Sequence, residues 1–414
     1  MDAEAVATTK QLAFLPWLRL KTTCRIAGVE FVPLRDASDA TSPVLADAIA
    51  PLNAILSSYI DRKGQPIDNC VVVTIAGRGW NLPASDVPDV GWAASLLFLA
   101  CWASNDYFPR WTGPYVNASA FRVVWQRFSE APMYIALTSR RRDGRNWDGG
   151  YKHGEVKFSA PLQCSLGEPT TVDDALLAAL DRGNTEHCEA TRRLRSALPF
   201  VSLANTDDDL MTEPAEAILM GSAFEQLLGG DASAYKLGRK FGVLFQSCGS
   251  VTVEDAKNAR SGIEIDVSTP ERAAAQPQWW VHRKWIEELY DVRSKSVHEG
   301  TVGSRSWGWA PSEHLLMAAW IFPLAVKLLL QRDGYYTFSD RDKGHCLAVD
   351  KLLAATDWGE ETDGGTGLHK WQEIVSSTAR KHEFERIKEQ FLEQYQHLFA
   401  EASAAGQDSP NGPA

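Results

Sequence analysis

The stretch Trp279–Gly300, WWVHRKWIEELYDVRSKSVHEG, decides how the rest of the chain is read. Val281, Trp285, Leu289, Val292 and Ser296 follow at steps of four, four, three and four, which keeps them on one face of a helix. Ile286, Tyr290, Arg293 and Val297 run beside them as a second stripe. Arg293 therefore stands where the pattern asks for an apolar residue at the edge of a core. His298 comes five positions later, followed by Glu299 and Gly300, and glycine is the usual residue just past a helix end. Packing alone does not call for this set of residues.

Working outward, the flanking segments are helical as well. Thr212–Leu228 opens on Thr212, Glu213 and Pro214 and stops at Gly229-Gly230, and Asp231–Phe245 spaces Leu237, Phe241, Leu244 and Phe245 as a helix does. A less regular link, Gly249–Gln278, precedes the central helix, and Ser312–Gln331 follows it as a strongly apolar helix. Residues 336–400 add further polar helices, the last at Trp371–Phe399, and the tail 401–414 has a disordered composition.

The first half has another texture. Cys24–Leu34 and Cys70–Ala76 are β-branched, apolar and bounded by turn residues, as strands are. Thr41-Ser42-Pro43 reads as a helix start with Pro51 as a kink, and Gly91–Ser104 as a buried helix. Phe121–Phe128 and Met133–Ser139 are strand candidates that lead into RRRDGRNWDGGYKHGE, with Glu155–Leu166 as the returning strand. Thr171–Leu198 reads as one helix, and the aperiodic, acidic Leu203–Leu210 as a boundary. The expected organisation is an α+β domain over 1–205, an all-α bundle over 206–335 and a helical extension over 336–400.

Bulk properties narrow the function. The chain has 414 residues, 44% hydrophobic and 23% charged, with 15 Trp, which describes packed globular domains rather than disorder. Its formal charge of −11 means that any polyanion must be held by a local basic patch. Seven scattered cysteines without a CxxC pair fit reduced thiols in a cytoplasm better than a disulfide framework. Neither an HExxH nor a paired Cys/His spacing is present, so no metal site is expected, and no cofactor. The N-terminus lacks the basic region of a secretory signal. The apolar runs Gly91–Ser104 and Leu315–Leu330 fall short of a membrane span.

A helical bundle with R-x4-H at the end of its third helix resembles the HEPN family, in particular its Apea-like branch. The string LYDVRSKSVHEG, Leu289–Gly300, carries the likeness. The run Ala223–Leu228 in the first helix and Leu237–Phe245, with Arg239, in the second agree with it. The resemblance covers about 206–335; residues 1–205 resemble no family named here. It implies a metal-independent endoribonuclease working at a dimer interface, often a toxin or phage-defence effector. By position, Arg293 and His298 would be the catalytic pair. Ser294 would be the polar residue after Arg, a place that many active members fill with Asn, Asp or His. Glu225 would be a supporting acid.

That chemistry is sound on general grounds. Metal-free RNA cleavage needs a group to move the 2′-hydroxyl proton and a cation to hold charge on the phosphate. Histidine titrates near neutrality, and arginine offers a fixed fork to phosphate oxygens. Residues five apart on a helix point about 140° from each other, so two copies meeting across a two-fold axis are expected to pool the pair in one cleft. The partners expected are RNA and a second copy through the bundle, with a trigger or inhibitor acting on 1–205 and no membrane. Arg140, Arg141, Arg142 and Arg145 in the turn-rich segment are candidate RNA contacts, although a basic hairpin tip is more often a solvated loop.

A plainer account pairs Arg293 with Glu225 or Asp291 and uses His298 to cap the helix end. The bundle would then serve only for dimerisation, with the first domain binding a partner.

Overall fold

The computed structural model describes residues 10–34, 49–104, 116–128, 134–152, 154–161, 168–206, 211–230, 233–299, 308–358 and 369–405. It shows an α+β part followed by a predominantly helical part. In chain order come β1 (Lys10–Leu15), β2 (Cys24–Ile26), β3 (Val29–Leu34), α1 (Ile49–Leu56), β4 (Tyr59–Ile60), β5 (Cys70–Ile75), α2 (Val87–Ser104) and β6 (Val124–Phe128). The hairpin β7 (Tyr134–Arg140) and β8 (Asn146–Lys152) and the short β9 (Phe158–Ser159) complete the strands. The helices α3 (Asp174–Thr185), α4 (Glu189–Ala204), α5 (Glu213–Leu227), α6 (Ala234–Leu244), α7 (Val253–Ala259) and α8 (Pro270–Ala275) come next. They lead to α9 (Val281–Glu299), α10 (Pro311–Arg332), α11 (Asp340–Ala354) and α12 (Lys370–Ala405).

The main sheet runs β2-β3-β5-β1-β6 with antiparallel pairing throughout, in register at Phe31↔Val73 and Phe14↔Val72. Val71, Val72 and Val73 are fully buried at its centre, where β-branched side chains fit the pleat best. The expected single strand at 24–34 is instead the β2–β3 hairpin. Ala27 and Gly28 both take positive φ (52° and 76°), the geometry of a tight primed turn. Alanine in the first of those places hides the turn from sequence. The strand that returns after the arginine-rich segment is β8, paired with β7, while within Glu155–Leu166 the strand among the described residues is the short β9, paired with β4. The proposed helix start at Thr41–Pro43 lies outside the described residues.

The expected helix over 171–198 is two helices, broken where His187 adopts φ 55°. Asp173 caps α3 by accepting the Leu176 N–H (2.9 Å) and also forms an ion pair with the buried Lys327 of α10 (2.7 Å). An aromatic run, Phe121, Phe98, Trp102 and Phe322, links α2 to α10. Helical spans Ala84–Ser104 and Pro311–Arg332 are longer than the apolar runs picked out in the sequence. By length and composition alone both pass for membrane spans. However, 61% and 89% of their apolar windows are buried inside the protein, which is how core helices behave.

The chain packs as two compact units: Met1–Leu244 with Trp285–Thr337, and Phe245–Lys284 with Phe338–Ala414. The first unit spans the boundary expected near 205, because α4 and α5 on its two sides pack together. The second unit is built on α11. Asp350, fully buried, accepts from the backbone N–H of Ser250 (2.8 Å), Val251 (3.3 Å) and His282 (3.2 Å) and bonds the His282 ring (2.7 Å). Cys248 and Cys346 are disulfide-bonded there, 98 positions apart, which corrects the expectation that all thiols are reduced. Separation of that kind leaves no local spacing for the sequence to reveal.

Candidate functional site: the helix pair α5 and α9

Helix α9 is less amphipathic than its pattern implies. From Lys284 to Tyr290 every residue is buried, the charged Lys284, Glu287 and Glu288 among them. Glu288 is held by the Trp309 backbone N–H (3.1 Å) and the His314 ring (3.3 Å), with the Trp285 and Trp309 rings beside that histidine. Sequence reading missed this polar contact, since its partners come from two stretches about twenty residues apart.

Beyond Tyr290 the helix becomes more open. Arg293 and Ser294 are half-buried and Val297 is exposed. Arg293 and Glu225, two of the four residues selected as catalytic, come together from α9 and α5. Their Nη2–Oε2 distance is 3.3 Å, and the side chains are 25% and 13% exposed. The Arg293 guanidinium carbon sits 5.3 Å from the centre of the Tyr290 ring, and its Nε has no partner among the described residues. Burial, followed by the nearby Glu225 charge, pushes the Tyr290 hydroxyl above its ordinary pKa. His298 lies in the last turn of α9, with a side chain outside the described set, as is Gly300.

Gly221 explains how Arg293 reaches this position. A Cβ at residue 221 would lie 2.9 Å from the Arg293 Cβ, so only glycine lets α5 and α9 approach this closely here. Gly221→Val is expected to destabilise the fold by about 1–3 kcal/mol, the usual cost of overpacking. Thermal unfolding measures it, and an unchanged melting temperature would refute the close approach.

The arginine-rich candidates occupy the β7–β8 hairpin. Its tip is closed by the Arg141 N–H donating to the Arg145 carbonyl (2.8 Å), and Arg141, Arg142 and Arg145 are exposed. Arg140 ends β7, with its side chain outside the described set.

Another basic feature escaped the sequence reading. A cavity of about 750 Å³ is lined by Arg193 of α4, Arg239 and Lys240 of α6 and Arg332 of α10, over aliphatic residues such as Leu244 and Leu328. Arg193 pairs with Glu189 (2.7 Å) and Arg332 with Asp333 (3.0 Å). Lys240 Nζ donates to the Gly229 carbonyl (3.1 Å), and no described carboxylate pairs with Arg239 or Lys240. The groove gathers cations from three helices, and each helix alone shows only scattered charge.

Among the described residues, no group of three or more His, Cys, Asp or Glu is placed to hold a metal ion. Comparison with known proteins finds no matching family model, no matching curated protein and no matching solved structure.

Proposed function

We propose that the protein is a metal-independent endoribonuclease of HEPN type, with Arg293 and His298 as its reacting pair. The observation that carries this reading is the Arg293–Glu225 contact across α5 and α9. It holds a guanidinium at a fixed place, one and a half turns before the end of the helix that carries His298. Partial exposure leaves the fork open to a phosphate oxygen, while Glu225 restrains its orientation. Histidine would take the 2′-hydroxyl proton, and the attack would leave a 2′,3′-cyclic phosphate. Ser294, next to Arg293 and also half-buried, carries a hydroxyl about 100° round the helix from it.

The activity requires two copies, because one helix end directs the two side chains apart. We place the dimer contact in the 206–335 segment and the protein in the cytoplasm with its substrate. The Cys248–Cys346 bond argues the other way, since the cytosol keeps most thiols reduced. Action as a toxin or phage-defence effector, with residues 1–205 receiving a trigger or inhibitor, completes the proposal.

RNA binding draws support from the groove around Arg239 and Lys240, the local positive surface that a chain of charge −11 needs. The double variant Arg239→Glu, Lys240→Glu is expected to weaken RNA binding at every sequence and to lower the slope of log affinity on log salt by about 2. Fluorescence anisotropy with labelled single-stranded RNA at several salt concentrations measures both. Unchanged affinity and slope would remove the groove from the RNA path.

One observation favours a second reading, a non-catalytic dimerisation and interaction module. Glu225 already neutralises Arg293, and a structural ion pair needs nothing more. Cleavage by the wild type that is lost in His298→Ala would decide between the two.

A further inference from the structure

Helix α12 presents two working faces. One is turned toward α11: Lys351 Nζ donates to Thr378 Oγ1 (2.9 Å), Arg386 pairs with Asp340 (2.9 Å), and Gly344 leaves room for Ala379. At about 100° per residue, Arg386 lies roughly 130° from the centre of a second stripe. That stripe is Phe384, Ile387 and Phe391, which are 65%, 52% and 58% exposed. Three large apolar side chains in line on one helix amount to more than scattered surface hydrophobics.

Their spacing of three and then four is that of the a and d positions of a coiled coil. With Phe384 at a, Ile387 falls at d and Phe391 at the next a, and Leu398 continues the seam in the sequence. In the same register Glu383 takes a g position and Lys388 the following e. These are the positions that face each other across a parallel pair of identical helices, so each Glu383 meets the partner copy's lysine and the pair forms twice, once on each side. An antiparallel pairing sets g against g and e against e, and loses the attraction. Arg380 at the preceding d closes the seam on one side.

We propose that this face of α12 is an interface with a second copy of the chain, formed as a short parallel coiled coil from Glu383 to Leu398. The occupant is another copy because both the apolar register and the charges are complementary to themselves. With few layers, and Gln394 at a d position, the coil is weak and its dimer depends on concentration. The surface is separate from the bundle contact, and the inference does not rest on the nuclease reading.

The test is sedimentation velocity on the full chain over a wide range of concentrations. Wild type is expected to dimerise, and Ile387→Lys, left with the bundle contact alone, to associate at least about tenfold more weakly. Glu383→Lys, which sets lysine against lysine, is expected to weaken association by roughly tenfold. Adding Lys388→Glu to it exchanges the charges and should restore the dimer. All these positions are exposed, and unchanged circular dichroism would show that the variants fold. The proposal is overturned if wild type is monomeric at every concentration, or if Ile387→Lys associates as tightly as wild type. It is also overturned if the charge exchange fails to rescue. An Arg293→Ala protein that dimerises normally but does not cut RNA separates this interface from the catalytic proposal.

Discussion

Arg293→Ala and His298→Ala are each expected to abolish RNA cleavage while leaving a folded protein. For His298 the loss is that of general acid–base help, roughly a hundred- to ten-thousand-fold in rate. For Arg293 it is the loss of a preorganised charge on the phosphate, about a hundred- to a thousand-fold. Arg293→Ala also strands Glu225, which is 13% exposed, so some stability goes with it. Arg293→Ala combined with Glu225→Gln removes the stranded charge and isolates the catalytic effect. The measurement is the rate of labelled RNA cleavage, with the 2′,3′-cyclic end identified by its resistance to phosphomonoesterase. If wild type cuts RNA and both single variants cut it equally fast, Arg293 and His298 have no part in the reaction, and the interaction module becomes the better account.

Asp350→Ala should have the largest effect on stability. The carboxylate is fully buried, and three backbone N–H groups and the His282 ring converge on it. Removing it leaves these groups unsatisfied in a dry interior, which costs about 3–5 kcal/mol by comparison with other broken buried pairs. Asp350→Asn, which keeps one acceptor oxygen, should lose less. Denaturant melts of the full chain give both values. A shift for Asp350→Ala no larger than that of an ordinary surface change would mean that water or a rearranged loop takes over the bonds.

How much of this was readable in advance depended on range. Regular spacing gave away α9, α10 and β5, because a helix or strand that buries one face writes its period into the sequence. Gly229-Gly230 and Asp333-Gly334 marked helix ends correctly, since the glycines there do take positive φ. Local conformation without its usual residue stayed hidden: at the turn and at the helix break, Ala27 and His187 take the positive φ that glycine usually fills. Contacts between distant stretches were not legible either. Glu225 was picked for its place on α5, but the sequence could not tell whether Arg293 would pair with Glu225 or with Asp291. The Glu288–His314 bond, the Cys248–Cys346 bond and the groove of Arg193, Arg239, Lys240 and Arg332 all form only once the chain has folded.

The ion pair between Lys327 and Asp173 has a practical meaning for anyone who cuts this chain. Lys327 lies in a long, mostly buried apolar helix, and its counter-charge is supplied from before the acidic segment at 207–210. A fragment beginning at residue 206 would leave that ammonium without its carboxylate and uncover Phe322, which stacks on Trp102 in the whole protein. The place where the sequence changes texture is therefore a poor place for a scissor, and the helical segment is best handled with its first two hundred residues attached.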